Sequence, residues 1–122
     1  MKHKIVLAED EPQIARLTIF KLEKEGFEVI WEEDGGATLE SVKNNKPDLV
    51  LLDVMMPVMD GYQVLKKIKE NDDLKMIPVI MLTAKGQERD VISGIEMGAE
   101  DYVVKPFRPA ELVARIKRIL GA

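Results

Sequence analysis

The chain of 122 residues is 46% hydrophobic and 33% charged, the proportions of one folded domain and not of a disordered segment. A net charge of −4 gives no electrostatic attraction to nucleic acid, and zero Cys excludes both a disulfide framework and a thiolate metal centre. No apolar run approaches the ~20 residues of a membrane span and no charged-then-apolar leader opens the chain, so a cytoplasmic protein is expected.

In chain order, Lys4-Ile5-Val6-Leu7-Ala8 reads as a buried strand that ends on Glu9-Asp10-Glu11. Pro12 sits where a first helical position tolerates it, and Ile14, Leu17, Phe20 and Leu22 follow helical spacing until Gly26. Phe27 to Glu32 is a second strand, more alternating and so nearer an edge. Asp34-Gly35-Gly36 is read as a turn and Ala37 to Asn45 as a second helix. Leu49 to Leu52 is an apolar run without alternation, which suits a strand covered on both faces, and it ends abruptly on Asp53. Pro57 and Gly61 force a loop; Gly61 to Asn71 is helical, with Val64, Leu65 and Ile68 on one face. Pro78 to Leu82 is a fourth strand running into Thr83-Ala84-Lys85-Gly86, and Glu88 to Met97 is a fourth helix closed by Gly98. Asp101 to Val104 is a fifth strand ending on Lys105-Pro106, and Pro109 opens a last helix with Leu112, Ile116 and Ile119 facing inward. Five strands alternating with five helices predict an α/β domain: a doubly wound parallel sheet with right-handed crossovers.

Polar residues stand at four strand ends: Glu9-Asp10, Asp53, Thr83 and Lys105. In a parallel sheet the carboxyl ends share one edge, where ligands of open α/β sheets gather. Asp53 is a poor helix cap, because Met55-Met56-Pro57 follows it instead of a first helical turn. Carboxylates brought within 4 Å repel by about 4 kcal/mol per pair at an effective dielectric of 20, so they must raise a pKa or hold a cation. Oxygen ligands without His or Cys favour a hard ion such as Mg²⁺. With one amine and one hydroxyl aimed at the same place, such a site suits a phosphoryl group, with Asp53 as the nucleophile.

These motifs, taken together, resemble the receiver domain of bacterial two-component response regulators over essentially all of residues 1–122. The resemblance rests on Glu9-Asp10-Glu11, on Leu51-Leu52-Asp53-Val54-Met55-Met56-Pro57 with Asp60-Gly61, on Leu82-Thr83-Ala84, and on Asp101-Tyr102-Val103-Val104-Lys105-Pro106-Phe107. It implies a three-layer flavodoxin-like fold of five strands in the order 2-1-3-4-5. It also implies that a sensor histidine kinase phosphorylates Asp53 from a phosphohistidine, with Mg²⁺ bound by Asp10, Asp53 and the backbone carbonyl of Met55, and Glu9 acting through water. The amine of Lys105 would contact the phosphoryl group, next to a cis Lys105–Pro106 bond. Thr83 and Tyr102 would form the switch: the hydroxyl moves to the phosphate and the ring turns into the space it leaves. The output surface would be the fourth helix, fifth strand and last helix.

That surface carries Glu96, Glu100, Asp101 and Glu111 against Arg115, Lys117 and Arg118, a mixed-charge face suited to an isologous homodimer. It resembles the dimerising transcription-factor branch, although that branch has a basic residue near Val91. The chain would then be either complete or a receiver cut from a longer regulator with a C-terminal effector domain. A Mg²⁺-dependent phosphohydrolase with an aspartyl-phosphate intermediate is the competing reading, and it lacks its general acid, since Met55 has no proton to give. No Gly-rich phosphate loop supports a nucleotide-binding module. An enzyme is therefore not expected beyond weak self-phosphorylation and hydrolysis, nor is contact with nucleic acid or membrane. Met55 and Lys85 offer nothing to orient an attacking water, which predicts a long-lived phosphoryl form. Glu11 is read as a helix-start acid, and Trp31, on an outer strand, as structural.

Overall fold

An unbroken apolar strand needs cover on both sides, and the sheet meets that need by alternating its residues between two cores. The computed structural model describes residues 2–84 and 97–121. Five parallel strands, β1 (Lys4–Ala8), β2 (Glu28–Glu32), β3 (Leu49–Asp53), β4 (Val79–Ala84) and β5 (Asp101–Lys105), form one sheet in the order β2-β1-β3-β4-β5. The helices among the described residues are α1 (Pro12–Lys24), α2 (Gly35–Asn45), α3 (Gly61–Glu70) and α4 (Pro109–Leu120). The doubly wound parallel sheet is the one the alternation of elements predicts, and the strand order and flavodoxin-like architecture are those the resemblance implies. The predicted fourth helix, Glu88 to Met97, lies outside the described residues except for Met97, which sits in a turn before Gly98 at φ 102°.

Ile5, Leu7, Leu49, Leu51, Ile80 and Leu82 point to α1 and α4, where they meet Ala15, Leu22, Leu112 and Ile116. Val6, Val50, Leu52, Val79 and Met81 point the other way and meet Leu39 and Val42 of α2 and Val64, Leu65 and Ile68 of α3. Each fully buried Leu or Ile stabilises the fold by roughly 1.5–3 kcal/mol, so the central strands hold both layers.

The structure overturns one reading of the sequence. Asp34-Gly35-Gly36 is not a turn: Asp34 accepts a hydrogen bond from the Ala37 N–H at 2.7 Å and caps α2, which begins at Gly35. Glycine is required there, because a Cβ on Gly35 would lie 1.8 Å from the Met59 carbonyl oxygen. The helix predicted from Pro12 is present as α1, and its apolar residues divide between core and solvent. Leu22 is buried and Ile14 half-buried, but Leu17 and Phe20 are exposed, and Ala15 and Thr18 face the core instead.

Candidate functional site

Parallel topology delivers the ends of β1, β3, β4 and β5 to one edge, and local constraints then set how each side chain leaves its strand. Strand-like pairing continues one residue past β1 and past β3: the Glu9 N–H donates to the Glu32 carbonyl and the Val54 N–H to the Leu82 carbonyl, both at 3.0 Å. The loop after Asp53 is tied back where it enters α3. Asp60 and Gln63 form a reciprocal capping box at 2.9 Å each way, and the Gly61 N–H donates to the Val54 carbonyl at 2.9 Å. Gly61 sits so close to β3 that a Cβ there would lie 2.3 Å from the Asp53 carbonyl oxygen. The Met55 N–H donates to Asp53 Oδ1 at 3.2 Å, orienting the carboxylate.

The outcome is a cleft of about 200 Å³ lined by Asp10, Glu11, Asp53, Met55, Ala84 and Lys105. Lys105 Nζ donates to Asp53 Oδ2 and to Glu9 Oε2, each at 2.9 Å, and lies 3.5 Å from Glu11 Oε1. Glu9 is fully buried and Asp53 is 4% exposed. Carboxylate oxygens of Glu9, Asp10 and Asp53 all lie within 4.8 Å of one another. Glu9 Oε1, although close to Lys105, is a buried oxygen without a hydrogen-bond partner among the described residues.

The charges are mutually dependent. Burial, and then the neighbouring Glu9, push the Asp53 carboxyl up from 3.8 to about 6, against the opposing pull of Lys105. Burial by itself would depress the Lys105 amine, but hydrogen bonds to Glu9 and Asp53 outweigh it and leave its pKa raised. Asp10, exposed overall, is pushed up by partial burial and then by Asp53 beside it. Among the described residues, Glu9, Asp10, Glu11 and Asp53 share the one ammonium of Lys105, which leaves the cleft short of positive charge.

Glu9, Asp10, Asp53 and Lys105, predicted to meet, do meet. Met55 contributes its N–H to Asp53, and its side chain is exposed at the cleft. Thr83, paired with Val104 in the sheet, is buried, and its hydroxyl has no hydrogen-bond partner among the described residues. Tyr102 is half-buried against the α2–α3 core. Pro106 follows a cis peptide bond and lines a separate apolar groove with Ile14, Leu17 and Phe107. Lys85, Val91 and Glu96 lie outside the described residues. The mixed-charge face pairs within the chain: Asp101 takes Arg115 and Arg118 at 2.9 Å, Glu100 takes Lys69 at 3.3 Å, and Lys117 reaches Glu25 at 2.8 Å. Sequence reasoning missed two neighbours of the site. Glu11 is near Lys105 as well as at the start of α1, and the Trp31 indole donates to the Glu9 carbonyl at 2.9 Å.

The chain belongs to the response regulator receiver domain family, whose model matches residues 5–117. It is a receiver domain of the two-component type, a class of phosphorylation-activated signalling modules. Over 120 residues it is 44% identical to the alkaline phosphatase synthesis transcriptional regulatory protein PhoP of Bacillus subtilis, covering 98% of this chain and 49% of that protein. It is 43% identical over 120 residues to the phosphate regulon transcriptional regulatory protein PhoB of Escherichia coli, covering 98% and 52%. The chain thus spans about half the length of the curated relatives it matches. Among solved structures, the receiver domain of sensor histidine kinase PA1611 from Pseudomonas aeruginosa, with a magnesium ion coordinated in its active-site cleft, aligns over 100% of both chains at 30% identity and a TM-score of 0.91. Among the described residues, no helix is long and apolar enough to cross a membrane.

Proposed function

We propose that Asp53 is the phosphoacceptor of a transcriptional response regulator and takes its phosphoryl group from a phosphohistidine of a sensor histidine kinase in the cytoplasm. The observation that carries this reading is the buried Asp53 carboxylate, held at 2.9 Å by Lys105 at the base of a cleft that two further acids share. An oxygen of Asp53 attacks phosphorus; an O–P bond forms as the N–P bond breaks, and the departing imidazole ring takes up a proton.

The residues present fit a hard divalent cation: three carboxylates, no softer ligand among the described residues, and on fully buried Glu9 an oxygen that pairs with Lys105 by charge but accepts no hydrogen bond. Asp10, Asp53 and the Met55 carbonyl would hold Mg²⁺, with Glu9 reaching it through water. Once bound, the ion offsets charge on the phosphoryl oxygens. Lys105 follows the new negative charge from carboxylate to phosphoryl oxygen, still anchored by Glu9. The Thr83 hydroxyl turns toward that phosphoryl oxygen, and the Tyr102 ring moves into the vacated space. Met55, two positions after Asp53, supplies neither a general acid nor a carboxylate or amide to orient water, so hydrolysis is slow and the domain is a switch, not a phosphatase.

Output runs through β5, α4 and the segment between β4 and β5. Phosphorylation releases part of the Asp101–Arg115 and Asp101–Arg118 pairing for a two-fold homodimer, which relays the signal to an effector domain such as the longer relatives' names imply. The test is exposure to acetyl phosphate with and without Mg²⁺, read by intact-mass spectrometry. One phosphoryl adduct should appear on wild type only with metal and be absent from Asp53→Ala. An adduct that persists in the variant would place the acceptor elsewhere.

A further inference from the structure

Trp31 is the single Trp of the chain and lies in the edge strand β2, opposite Leu7 and half-buried against the α1–α4 core. Packing alone would make it an ordinary large side chain at a sheet margin. Its indole N–H, however, does not point to solvent: it donates to the Glu9 carbonyl at 2.9 Å. That carbonyl belongs to the peptide joining Glu9 to Asp10, the unit that sets the direction in which Asp10 leaves the end of β1. The register between β1 and β2 ends at Ala8 and Glu32, and the Glu9 N–H adds one last main-chain bond, so no further strand pairing holds the Glu9 carbonyl.

Two further bonds make β2 a firm support at this point. The Glu9 N–H donates to the Glu32 carbonyl at 3.0 Å, and the Glu32 carboxylate accepts a hydrogen bond from the Ser41 hydroxyl of α2. Both backbone polar groups of Glu9 are therefore held by β2, one through main chain and one through the indole. On the carboxylate side, the Glu11 N–H donates to Glu9 Oε2 at 3.3 Å.

We propose that Trp31 is a positioning residue, whose indole N–H locks the Glu9–Asp10 peptide so that the two carboxylates keep the spacing a divalent cation needs. The inference rests on the Mg²⁺ reading of the site given above. Partners one step behind metal ligands commonly tune affinity, and a single neutral hydrogen bond to the backbone sets the lower end of that range.

The test uses the whole chain labelled with ¹⁵N and titrated with MgCl₂, with NMR following the Asp10 and Asp53 amides and the single indole N–H signal. The indole signal should shift saturably with the same midpoint as the two amides. In W31F, still folded by urea denaturation, the Kd for Mg²⁺ should rise roughly three- to tenfold. An indole signal that stays put to saturation, or a folded W31F that binds Mg²⁺ like wild type, makes Trp31 plain core and overturns the inference while the metal site stands. Should W31F unfold, the wild-type indole titration decides alone. If the Asp10 and Asp53 amides of wild type show no saturable response, the metal reading itself falls, and the inference with it.

Discussion

At the residue scale, Asp53 is a carboxylate kept ready at a cost. The folded protein holds its proton up to about pH 6, whereas an unfolded aspartate releases it near 3.8. Between those values the folded state binds more protons, so stability falls as pH rises through the window and the full cost of the buried charge is present above it. Asp53→Asn keeps the shape without the charge. In metal-free buffer it should unfold later than wild type by about 2 kcal/mol near pH 8, with the advantage gone below about pH 4. Urea denaturation across pH measures this, and a variant less stable than wild type at every pH would refute the assignment. The identity of this residue was legible because a charge ends an apolar run that has no other polar interruption. A raised pKa was legible only as one of two outcomes for crowded carboxylates; that it falls on Asp53 depends on its burial and then on Glu9, which arrives from another strand. Trp31 escaped for a related reason: its atom that matters is one N–H, and only the register between β1 and β2 aims it.

At the element scale, the loop from β3 to α3 combines tight fit with strain. Val58 is 83% exposed and has φ 72°, a left-handed conformation that costs a branched side chain about 1–2 kcal/mol. Asn tolerates this region and gives up little packing at an exposed position. Val58→Asn should therefore raise the unfolding free energy by about 1 kcal/mol, measured by urea titration; no gain would mean that the Val58 side chain holds the loop in a way its exposure hides. Gly61 is the opposite case. Gly61→Ala forces a methyl against the Asp53 carbonyl and should destabilise by about 1–3 kcal/mol; if Asp53 is the acceptor as proposed, it should also reduce labelling by acetyl phosphate. The sequence marked this stretch as a loop through Pro57 and Gly61. It could not show that Gly35 and Gly61 are needed for close approach, since those contacts join segments far apart in the chain. The turn misread at Asp34 has the same origin: Asp-Gly-Gly is turn-like locally, and only the neighbouring Met59 carbonyl explains glycine within the first turn of a helix.

At the scale of the whole molecule, β3 serves both cores. Leu51 faces α1 and α4 and Leu52 faces α2 and α3, each without exposed surface. Leu51→Ala and Leu52→Ala should each cost about 2–5 kcal/mol and leave one cooperative transition with an unchanged denaturant slope. Two separate transitions in either variant would show that the layers fold independently. The two-sided architecture was the most legible feature of all, because a parallel sheet writes itself as runs without alternation. The exposed side of α1 was the least: Leu17 and Phe20, three apart, share a face that stays in solvent, while Leu22, two positions on, turns to the core.

The bonds at Lys105 join it to residues 96 and 52 positions earlier. During synthesis on the ribosome, both acids emerge long before the amine that neutralises them has been made. The cluster at Lys105 can thus close only after β5 has been made, so four-fifths of the chain must exist before its charges are matched.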